Sequence, residues 1–218
     1  MLDKTKPVLV FGATGLTGIQ VVKSLLSKGF KVRAVVRDPQ KGLAELGAGV
    51  DILALDLNDT AALGKILTGI PVIISALGSQ NTKDPDEKEQ VEHIFVVNLA
   101  AAAQEAGTEH IVMCSSIGTD KPEKFPFIEA VLRFKAKGEA ALQNSGLTYT
   151  IVRPGGLNNN PGGQGVLLKD SLEVGGMISR VDVAEVMVQA ILQPAAHNRV
   201  VEIINQPDAP TANRPDLF

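Results

Sequence analysis

Short apolar runs alternate with longer amphipathic segments along most of the chain. The runs hold four to six residues with few polar side chains, which is typical of strands covered on both faces of a sheet. The predicted strands cover residues 8–11, 32–36, 50–55, 71–75, 111–114, 149–152 and 200–204. Between them, apolar residues with helical spacing predict helices over residues 19–26, 59–67, 87–106, 127–144 and 182–192, with a shorter segment at 39–46.

Strands that alternate with helices pair as a parallel sheet, because each crossover returns the chain to the same edge. We therefore predict an α/β fold: one Rossmann-type domain with a doubly wound parallel sheet over residues 1–218. Its core covers about residues 7–205. Residues 206–218 contain three prolines and no apolar period, which predicts a flexible tail. Residues 154–165 are rich in Gly and Asn and predict a small loop region on the substrate side of the sheet.

Three glycines, Gly12, Gly15 and Gly18, follow the first predicted strand directly. The first permits a tight turn, the second lets the backbone approach a pyrophosphate, and the third lets the next helix pack against its strand. Amide groups at the start of that helix then bind the anion. The spacing G-x-x-G-x-x-G differs from the G-x-G-x-x-G of the general dinucleotide-binding fingerprint. The prediction of a dinucleotide site therefore depends on the strand before the glycines and the helix after them. The alternative is a glycine turn with a purely structural role.

Composition and charge argue against several other classes of protein. The net charge is −3 with basic residues dispersed among acidic ones, which argues against a nucleic-acid partner. One cysteine, Cys114, excludes an internal disulfide, and His93, His110 and His197 lack the spacing of metal ligands. No apolar run approaches the ~20 residues of a membrane span. We expect a soluble protein of the cytoplasm, or of the plastid stroma if a transit peptide was removed.

In an open parallel sheet, ligands bind at the carboxyl ends of the strands, near the point where the strand order reverses. This rule selects the loops that follow the predicted strands. They cover residues 12–18, 37–41, 56–58, 76–80, 115–120 and 154–165.

Several motifs in these loops occur together in one order. They are FGATGLTG (11–18), VVRDP (35–39), LDLND (55–59), SALGS (75–79), CSSIG (114–118), SGLTYTIVRPGGL (145–157) and SRVDVAE (179–185). Over about residues 7–205 the chain resembles an atypical short-chain dehydrogenase/reductase of the NAD(P)H-binding group that includes NmrA-like, Tic62-like and biliverdin or flavin reductase-like proteins.

The resemblance implies a set of cofactor-binding residues. They are Gly12, Thr14, Gly15, Leu16 and Gly18 at the pyrophosphate, Asp56 and Leu57 at the adenine, Ala76 and Gly78 along the middle of the nucleotide, and Pro154 and Lys135 nearer its reactive end. The alternative for Asp56 is a turn or helix-cap residue. Asp182, with Glu185 three residues later, has the pattern of a capping box, so we expect it to cap the last helix.

Arg37 bears on the choice of cofactor. Members that bind NAD place an acidic residue at the end of the second strand, whereas an arginine there can clamp a 2′-phosphate. The sequence therefore predicts NADP(H). The alternative for Arg37 is a solvated surface charge. Asp38 is an alternative partner for the ribose, and Lys41 is either a second phosphate ligand or another solvated surface charge.

The family's proton donor is missing. Tyrosine-dependent members carry Tyr-x-x-x-Lys on the helix after the fifth strand, and here Val131 stands four residues before Lys135. At 100° per residue Lys135 lies on the apolar stripe of that helix, so it faces inward and needs a polar partner. The partner is either a ribose or phosphate of the cofactor, or Glu139 one turn later. The single tyrosine, Tyr149, is better explained as a strand residue.

Ser115 and Ser116 stand where the family places its substrate-orienting serine, so with Lys135 they are the candidate catalytic residues. Their alternative role is a serine turn that closes the strand. Phe125 and Phe127 are candidates for a hydrophobic wall beside the site, or for the core.

Two hypotheses for function follow. In the first, the protein is an NADPH-dependent reductase of a small-molecule acceptor such as a flavin, quinone or linear tetrapyrrole, whose proton comes from solvent or from the acceptor itself. In the second, it is a non-catalytic NADP(H)-sensing or scaffold protein that binds a partner protein. The sequence leaves the oligomeric state open.

Overall fold

The computed structural model describes residues 2–79 and 84–218. Its strands are β1 Pro7–Phe11, β2 Lys31–Val36, β3 Asp51–Ala54, β4 Val72–Ser75, β5 His110–Cys114, β6 Thr148–Pro154, β7 Gly156–Asn158, β8 Val166–Lys169, β9 Met177–Ser179 and β10 Arg199–Asn205. Its α-helices are α1 Leu16–Ser27, α2 Pro39–Leu46, α3 Thr60–Leu67, α4 Pro85–Glu89, α5 Phe95–Ala106, α6 Glu129–Gln143 and α7 Arg180–Leu192. A π-helical turn, Gln90–Ile94, joins α4 to α5, and short 3-10 helices cover Pro122–Lys124 and Pro194–Ala196.

An eight-stranded sheet has the order β3-β2-β1-β4-β5-β6-β10-β8. All of its neighbouring strands are parallel except β8, which pairs antiparallel with β10. The chain leaves β1 toward β2 on one side and returns to β4 on the other, so the strand order reverses between β1 and β4. This confirms the predicted doubly wound α/β fold and places the ligand crevice at the ends of these two strands.

Alternation along the central strands explains the two layers of core. Val8 and Val10 of β1 face α1 and α7, where they pack in one buried cluster with Val22 and Met187. Leu9 and Phe11 face the other way, into a cluster with α3 and α5 residues such as Phe95. Successive side chains of a strand point to opposite faces, so a strand that is apolar at every position is buried on both.

The region after β6 has more regular structure than expected. The predicted loop at residues 154–165 contains the short strand β7, which pairs with β9 in a separate two-stranded sheet. Strand β8 follows the loop. It pairs with β10 and forms the edge of the large sheet, two positions from β6. These strands are too short, and too interrupted by glycine, for an alternating pattern to reveal them.

The expected flexible tail packs against the domain. Ala212 and Leu217 are buried in the same cluster as α7, and Thr211 forms an isolated bridge with Gly165. The Gln193 side chain accepts a hydrogen bond from the backbone of Leu217 at 2.9 Å. Backbone groups of the tail are thus paired by side chains, which a periodicity argument does not detect.

Helix α7 begins earlier than predicted, and a different residue caps it. Ser179 is the N-cap and accepts from the backbone of Val181 and of Asp182, both at 3.2 Å. Asp182 lies inside the first turn and accepts from the Gly163 backbone at 2.7 Å and from the Asn205 side chain at 2.9 Å. The expectation that Asp182 caps the helix is therefore wrong, since its carboxylate ties the loop before β8 to the end of β10.

His110 makes the free energy of unfolding depend on pH. It is buried at the start of β5, its Nε2 lies 2.9 Å from the Thr150 hydroxyl, and its ring meets that of His197 edge to face. The Thr150 hydroxyl donates to the Ala196 carbonyl at 2.8 Å, so Nε2–H is the donor to Thr150. Burial first, and the proximity of His197 second, lower the pKa of His110 to about 4.

We expect the free energy of unfolding to fall as the pH falls from about 6.5 to about 4. The unfolded chain binds a proton to this histidine across that range and the folded chain does not, so the loss is on the order of 3 kcal/mol. Denaturant unfolding at pH 7 and pH 4.5 should show a smaller difference for His110→Gln than for the unmutated protein. His197→Gln removes the smaller of the two causes and leaves His110 buried, so it should reduce the pH difference less than His110→Gln does. An equal pH difference in His110→Gln would contradict the assignment.

Candidate functional site

A tight backbone turn at the end of β1 forms the floor of the candidate nucleotide site. Gly12 has φ 71°, and a Cβ there would lie 2.7 Å from the Ala76 carbonyl oxygen. The Gly15 amide donates to the Gly12 carbonyl at 2.9 Å. A Cβ on Gly18 would overlap that same Gly12 carbonyl, so α1 packs against the turn only with glycine at this position.

The start of α1 fits an anion. Its N-cap residue is Gly15, which has no side chain to accept from the first amides of the helix. Orphan amide groups and the positive end of the helix dipole bind phosphate when no side chain caps them. The turn and the uncapped helix together fit the pyrophosphate of a dinucleotide. Thr14 lies in the turn and Leu16 is the first residue of the helix, and their contact with the pyrophosphate stays a prediction.

Two adjoining depressions extend the site along the carboxyl ends of β1, β2, β3 and β4. One has a volume of about 120 Å³ and includes the glycine turn, Arg37, Leu57, Ala76 and Gly78. The other, of about 460 Å³, shares Arg37 and Leu57 and adds Asp56. The structure therefore brings these predicted cofactor-binding residues to one groove. Gln80, the last residue of the predicted 76–80 loop, lies outside the described residues.

Asp56 also has the alternative role that the sequence left open. Its Oδ1 accepts from the backbone and from the side chain of Asn58, at 3.0 and 2.9 Å. The carboxylate thus stabilises its own turn while its side chain remains at the edge of the larger depression. A role at the adenine stays a prediction.

Asp38, the alternative ribose ligand, accepts hydrogen bonds from backbone amides instead. It caps α2 and accepts from the amides of Gln40 and Lys41, at 2.9 and 3.2 Å. Lys41 is exposed and pairs with Glu45 at 3.8 Å, one turn along the same helix. Of the charged groups at the end of β2, the Arg37 side chain is the one that lines both depressions.

Lys135 faces inward, as predicted, but with a different partner. Its Nζ donates to Glu92 Oε2 at 2.7 Å, and the two side chains are 13% and 5% exposed. Burial lowers the pKa of Lys135, but the attraction and hydrogen bond of Glu92 outweigh burial, so the pKa lies above its ordinary value. The expected alternative, a pair with Glu139, is wrong because the π-helical turn brings Glu92 against this face of α6.

Glu139 instead joins a second buried cluster. It accepts from Arg153 through two nitrogens, at 3.1 and 2.5 Å, and from the Thr119 hydroxyl at 3.1 Å. The Ser115 hydroxyl donates to the same carboxylate. Arg153 also lies 3.7 Å from Glu202 of β10, so a single guanidinium links α6, β6 and β10.

This cluster separates the roles of the two candidate serines. Ser115 is buried and its hydroxyl is turned to Glu139, away from the larger cavities. Ser116 lines a cavity of about 580 Å³ and donates to the Ile117 carbonyl at 3.1 Å. Of the two, Ser116 therefore has its hydroxyl at the surface that a substrate can reach.

The 580 Å³ cavity lies at the carboxyl ends of β5, β6 and β10. Its wall includes Pro154, the buried carboxylate of Glu202, and apolar side chains such as Phe125 and Leu172. Phe125 packs over Gly118, where a Cβ would lie 2.5 Å from its ring. Phe127, the other candidate for this wall, is instead fully exposed.

Cys114 ends β5 and lines a small internal space together with Lys135. Burial raises the pKa of its thiol to about 11, and the opposing effect of Lys135 is smaller. The thiol is therefore neutral near pH 7 and unreactive.

Sequence reasoning missed the residues that hold the charged clusters together. Arg153 and Glu202 each interrupt an otherwise apolar strand, and a charge at such a position is a usable signal for a buried ion pair. Glu92 carries no such signal, because it lies among other charged residues of a helix whose π turn the periodicity does not show.

Two further findings concern the described residues. None of their helices has the length and apolar composition to cross a bilayer. Among residues 2–79 and 84–218, no three His, Cys, Asp or Glu side chains are grouped to hold a metal ion.

A substitution in the glycine turn tests whether it binds the pyrophosphate. In Gly18→Ala the new methyl group must displace the Gly12 carbonyl, so we expect the mutant to lose both NADPH affinity and thermal stability. Gly64→Ala in α3 is the matched control, because a Cβ there meets nothing within 4 Å and alanine favours a helix by about 0.5–1 kcal/mol. Fluorescence titration and thermal denaturation measure both effects. Unchanged NADPH affinity in Gly18→Ala would exclude this turn as the pyrophosphate site.

Comparisons with known proteins agree with this geometry. A family model described as NAD(P)H-binding matches residues 12–194. An uncharacterised chloroplastic protein of Arabidopsis thaliana is 35% identical, and the match covers 99% of this chain and 82% of that protein. Sanguinarine reductase of Eschscholzia californica is 30% identical, and the match covers 95% of this chain and 93% of that protein. The chloroplastic protein TIC 62 of Pisum sativum is 31% identical over 93% of this chain, which spans 43% of that longer protein.

Solved structures show the same fold. A protein from Bacillus halodurans described as an NAD-dependent epimerase/dehydratase has a TM-score of 0.89 and 28% identity, with 98% of this chain and 100% of that chain covered. ChuY, an anaerobillin reductase from Escherichia coli O157:H7, has a TM-score of 0.77 and 27% identity. The match covers 93% of this chain and 98% of that chain. The chain therefore belongs to the NAD(P)H-binding family of Rossmann-fold proteins, as its resemblance to the atypical short-chain dehydrogenases/reductases predicts, and its cofactor is NAD(P)H.

Proposed function

We propose that the protein is an NADPH-dependent reductase that transfers hydride to a quinone-, flavin- or tetrapyrrole-like acceptor without a tyrosine proton donor. The adjacency of the two cavities carries this proposal. Ala76, Ser116 and Pro154 follow or end β4, β5 and β6, which are neighbours in the sheet. The nucleotide groove therefore opens beside the 580 Å³ cavity, at the edge where hydride would leave the cofactor.

The cavity has room for a small molecule and offers it apolar surface. Its volume lies within the usual range for small-molecule sites, and Phe125, Ile128 and Leu172 give it apolar walls. Two of the relatives, sanguinarine reductase and anaerobillin reductase, are named as reductases, which supports turnover by this chain.

The proton balance favours acceptors with delocalised charge. When bound, NADPH supplies the hydride. At position 131, where a tyrosine would protonate an alkoxide, α6 has a half-buried valine. The Ser116 hydroxyl can donate to an acceptor oxygen by leaving the Ile117 carbonyl, but it is too weak an acid to replace the phenol. A quinone, flavin or tetrapyrrole spreads the added negative charge over its conjugated system and can take its proton from solvent.

The NADP preference is also a proposal. The exposed Arg37 guanidinium lies at the end of β2 along both depressions of the groove. Asp38 is engaged in capping α2, which removes the competing carboxylate that would favour NAD.

A second candidate function is NADP(H)-dependent binding of a partner protein. Several large apolar side chains near the mouth of the cavity are exposed, which is the composition of a protein contact surface. They are Phe127, Ile128, Val174 and Met177. The compartment is proposed to be the cytoplasm or the plastid stroma, and the relatives named as chloroplastic support the stroma.

Arg37→Ala should abolish a preference for NADPH over NADH. Paired charge-assisted bonds to the 2′-phosphate contribute about 1.5–3 kcal/mol, so NADPH affinity should fall roughly 10- to 150-fold while NADH affinity changes little. Fluorescence titration with both cofactors measures this. Lys41→Ala is the control, since its ammonium pairs with Glu45 and should leave the ratio unchanged. Equal affinity of the unmutated protein for NADPH and NADH would refute the assignment.

Anaerobic NADPH oxidation against a panel of acceptors should separate the two functions. We expect turnover with flavins, quinones or biliverdin and poor turnover with simple ketones and aldehydes, because no side chain is placed to protonate an alkoxide. Efficient reduction of an ordinary ketone would refute this mechanism. Tight NADPH binding with no turnover of any acceptor would support the partner-binding function instead.

Val131→Tyr should create weak carbonyl reductase activity. The new phenol would lie one turn before Lys135 on the same face of α6. The ammonium favours the phenolate at short range, but the paired Glu92 carboxylate offsets most of that effect, so the activity should stay weak. Val131→Phe has the same ring without the hydroxyl and should remain inactive on ketones. Ketone reduction rates for the two variants give the result, and equal rates would show that position 131 does not face the reacting atoms.

A further inference from the structure

Glu92 occupies an unusual position in the backbone. It lies in the π-helical turn Gln90–Ile94, where the helix between α4 and α5 departs from regular α geometry. Such turns displace side chains relative to a regular helix and often occur at functional sites. Here the turn points a buried carboxylate between the sheet and α6.

The two oxygens of this carboxylate hold different elements. Oε2 accepts from Lys135 of α6 at 2.7 Å. Oε1 accepts from the backbone amide of Ser79 at 2.8 Å and from its hydroxyl at 3.2 Å. Ser79 directly follows Gly78, which lines the nucleotide groove. One side chain therefore joins the lysine to the loop after β4.

The backbone of α6 approaches the π-helical turn closely at this point. A Cβ on Gly138 would overlap the Glu92 carbonyl oxygen, so only glycine permits the observed packing. Lys135 lies three residues before Gly138, on the same face of α6. The close packing sets the distance that the ion pair spans.

The position of the pair along the sheet identifies the part of the cofactor that it serves. Lys135 and Glu92 lie with Ser75 and Cys114 around a small internal space at the ends of β4 and β5. Arg37 lies two to three strands away, at the end of β2. A dinucleotide that extends from Arg37 across the glycine turn reaches β4 and β5 with its nicotinamide half.

We propose that Glu92 is a positioning residue for the nicotinamide half of the cofactor. By holding Lys135 and the backbone after Gly78 together, it fixes the wall against which the nicotinamide and its ribose lie. The adenosine half is bound elsewhere and does not depend on it. This inference rests on NAD(P)H binding by the family and not on the proposed reductase activity.

Glu92→Gln tests the inference, because the amide keeps an oxygen for the Ser79 amide and loses the charge that holds Lys135. The two ligands are NADPH and 2′,5′-ADP, which lacks the nicotinamide ribose. By calorimetry we expect NADPH affinity to fall about tenfold or more and 2′,5′-ADP affinity to stay within about twofold. The fluorescence anisotropy of bound NADPH should also fall, because its nicotinamide is less constrained.

Glu89→Gln is the matched control. Glu89 lies one turn earlier, is half-exposed and pairs with Lys137 at 3.7 Å, so both affinities should stay unchanged. The double variant Glu92→Gln/Lys135→Gln should bind NADPH no more weakly than the worse single variant, since the two residues act as one pair. If the Arg37 test shows a preference for NADH, NADH and ADP replace the two ligands.

Two results would overturn the inference: equal weakening of both ligands, or no change in either. The first would show that Glu92 only stabilises the fold, and the second that the pair does not reach the cofactor. If Glu92→Gln does not fold, Glu92→Asp takes its place. The shorter carboxylate keeps the charge and cannot reach both Lys135 and Ser79, so the same selective loss of NADPH affinity is expected.

Discussion

The burial of charge beneath the ends of the parallel strands constrains the rest of the site. Lys135, Glu92, Glu139, Arg153 and Glu202 all lie largely out of solvent between the sheet and its neighbouring elements. An ion in the interior costs several kcal/mol unless an opposite charge and further hydrogen bonds meet it. The elements that supply those partners must therefore keep their positions, and α6 is held at both of its inward-facing charged residues.

This requirement explains why two adjacent serines have different environments. Glu139 carries one negative charge and accepts from Arg153, Thr119 and Ser115, so the Ser115 hydroxyl is used to complete a buried network. Ser116, one residue later in an extended loop, points to the other side and reaches the large cavity. The sequence placed both at the end of β5 and left open which one faces the site. The choice depends on Glu139, 24 residues after Ser115 in the chain, and so on tertiary packing.

The parts of the fold that follow from local rules were predicted well. Apolar runs located the parallel strands, and Gly12, Gly15 and Gly18 located the turn, because backbone sterics act within a few residues. The pairings that depend on distant elements were not predicted. The partner of Lys135 requires a π-helical turn 43 residues earlier, and the packing of the last residues requires Gln193, the residue after α7. Neither leaves a periodic signal, since each is one side chain that meets one group.

Lys135 also shows how a shared position can serve a different chemistry. Beside a tyrosine, a lysine ammonium stabilises the phenolate and so provides an acid for carbonyl reduction. Here the ammonium is 2.7 Å from the Glu92 carboxylate, and the pair has no net charge. A neutral pair contributes little long-range field at the reacting atoms and offers no labile proton, because its own pairing holds the lysine protonated. The pair is therefore suited to fixing geometry, and the chemistry at this edge of the sheet must rely on an acceptor that stabilises its own added charge.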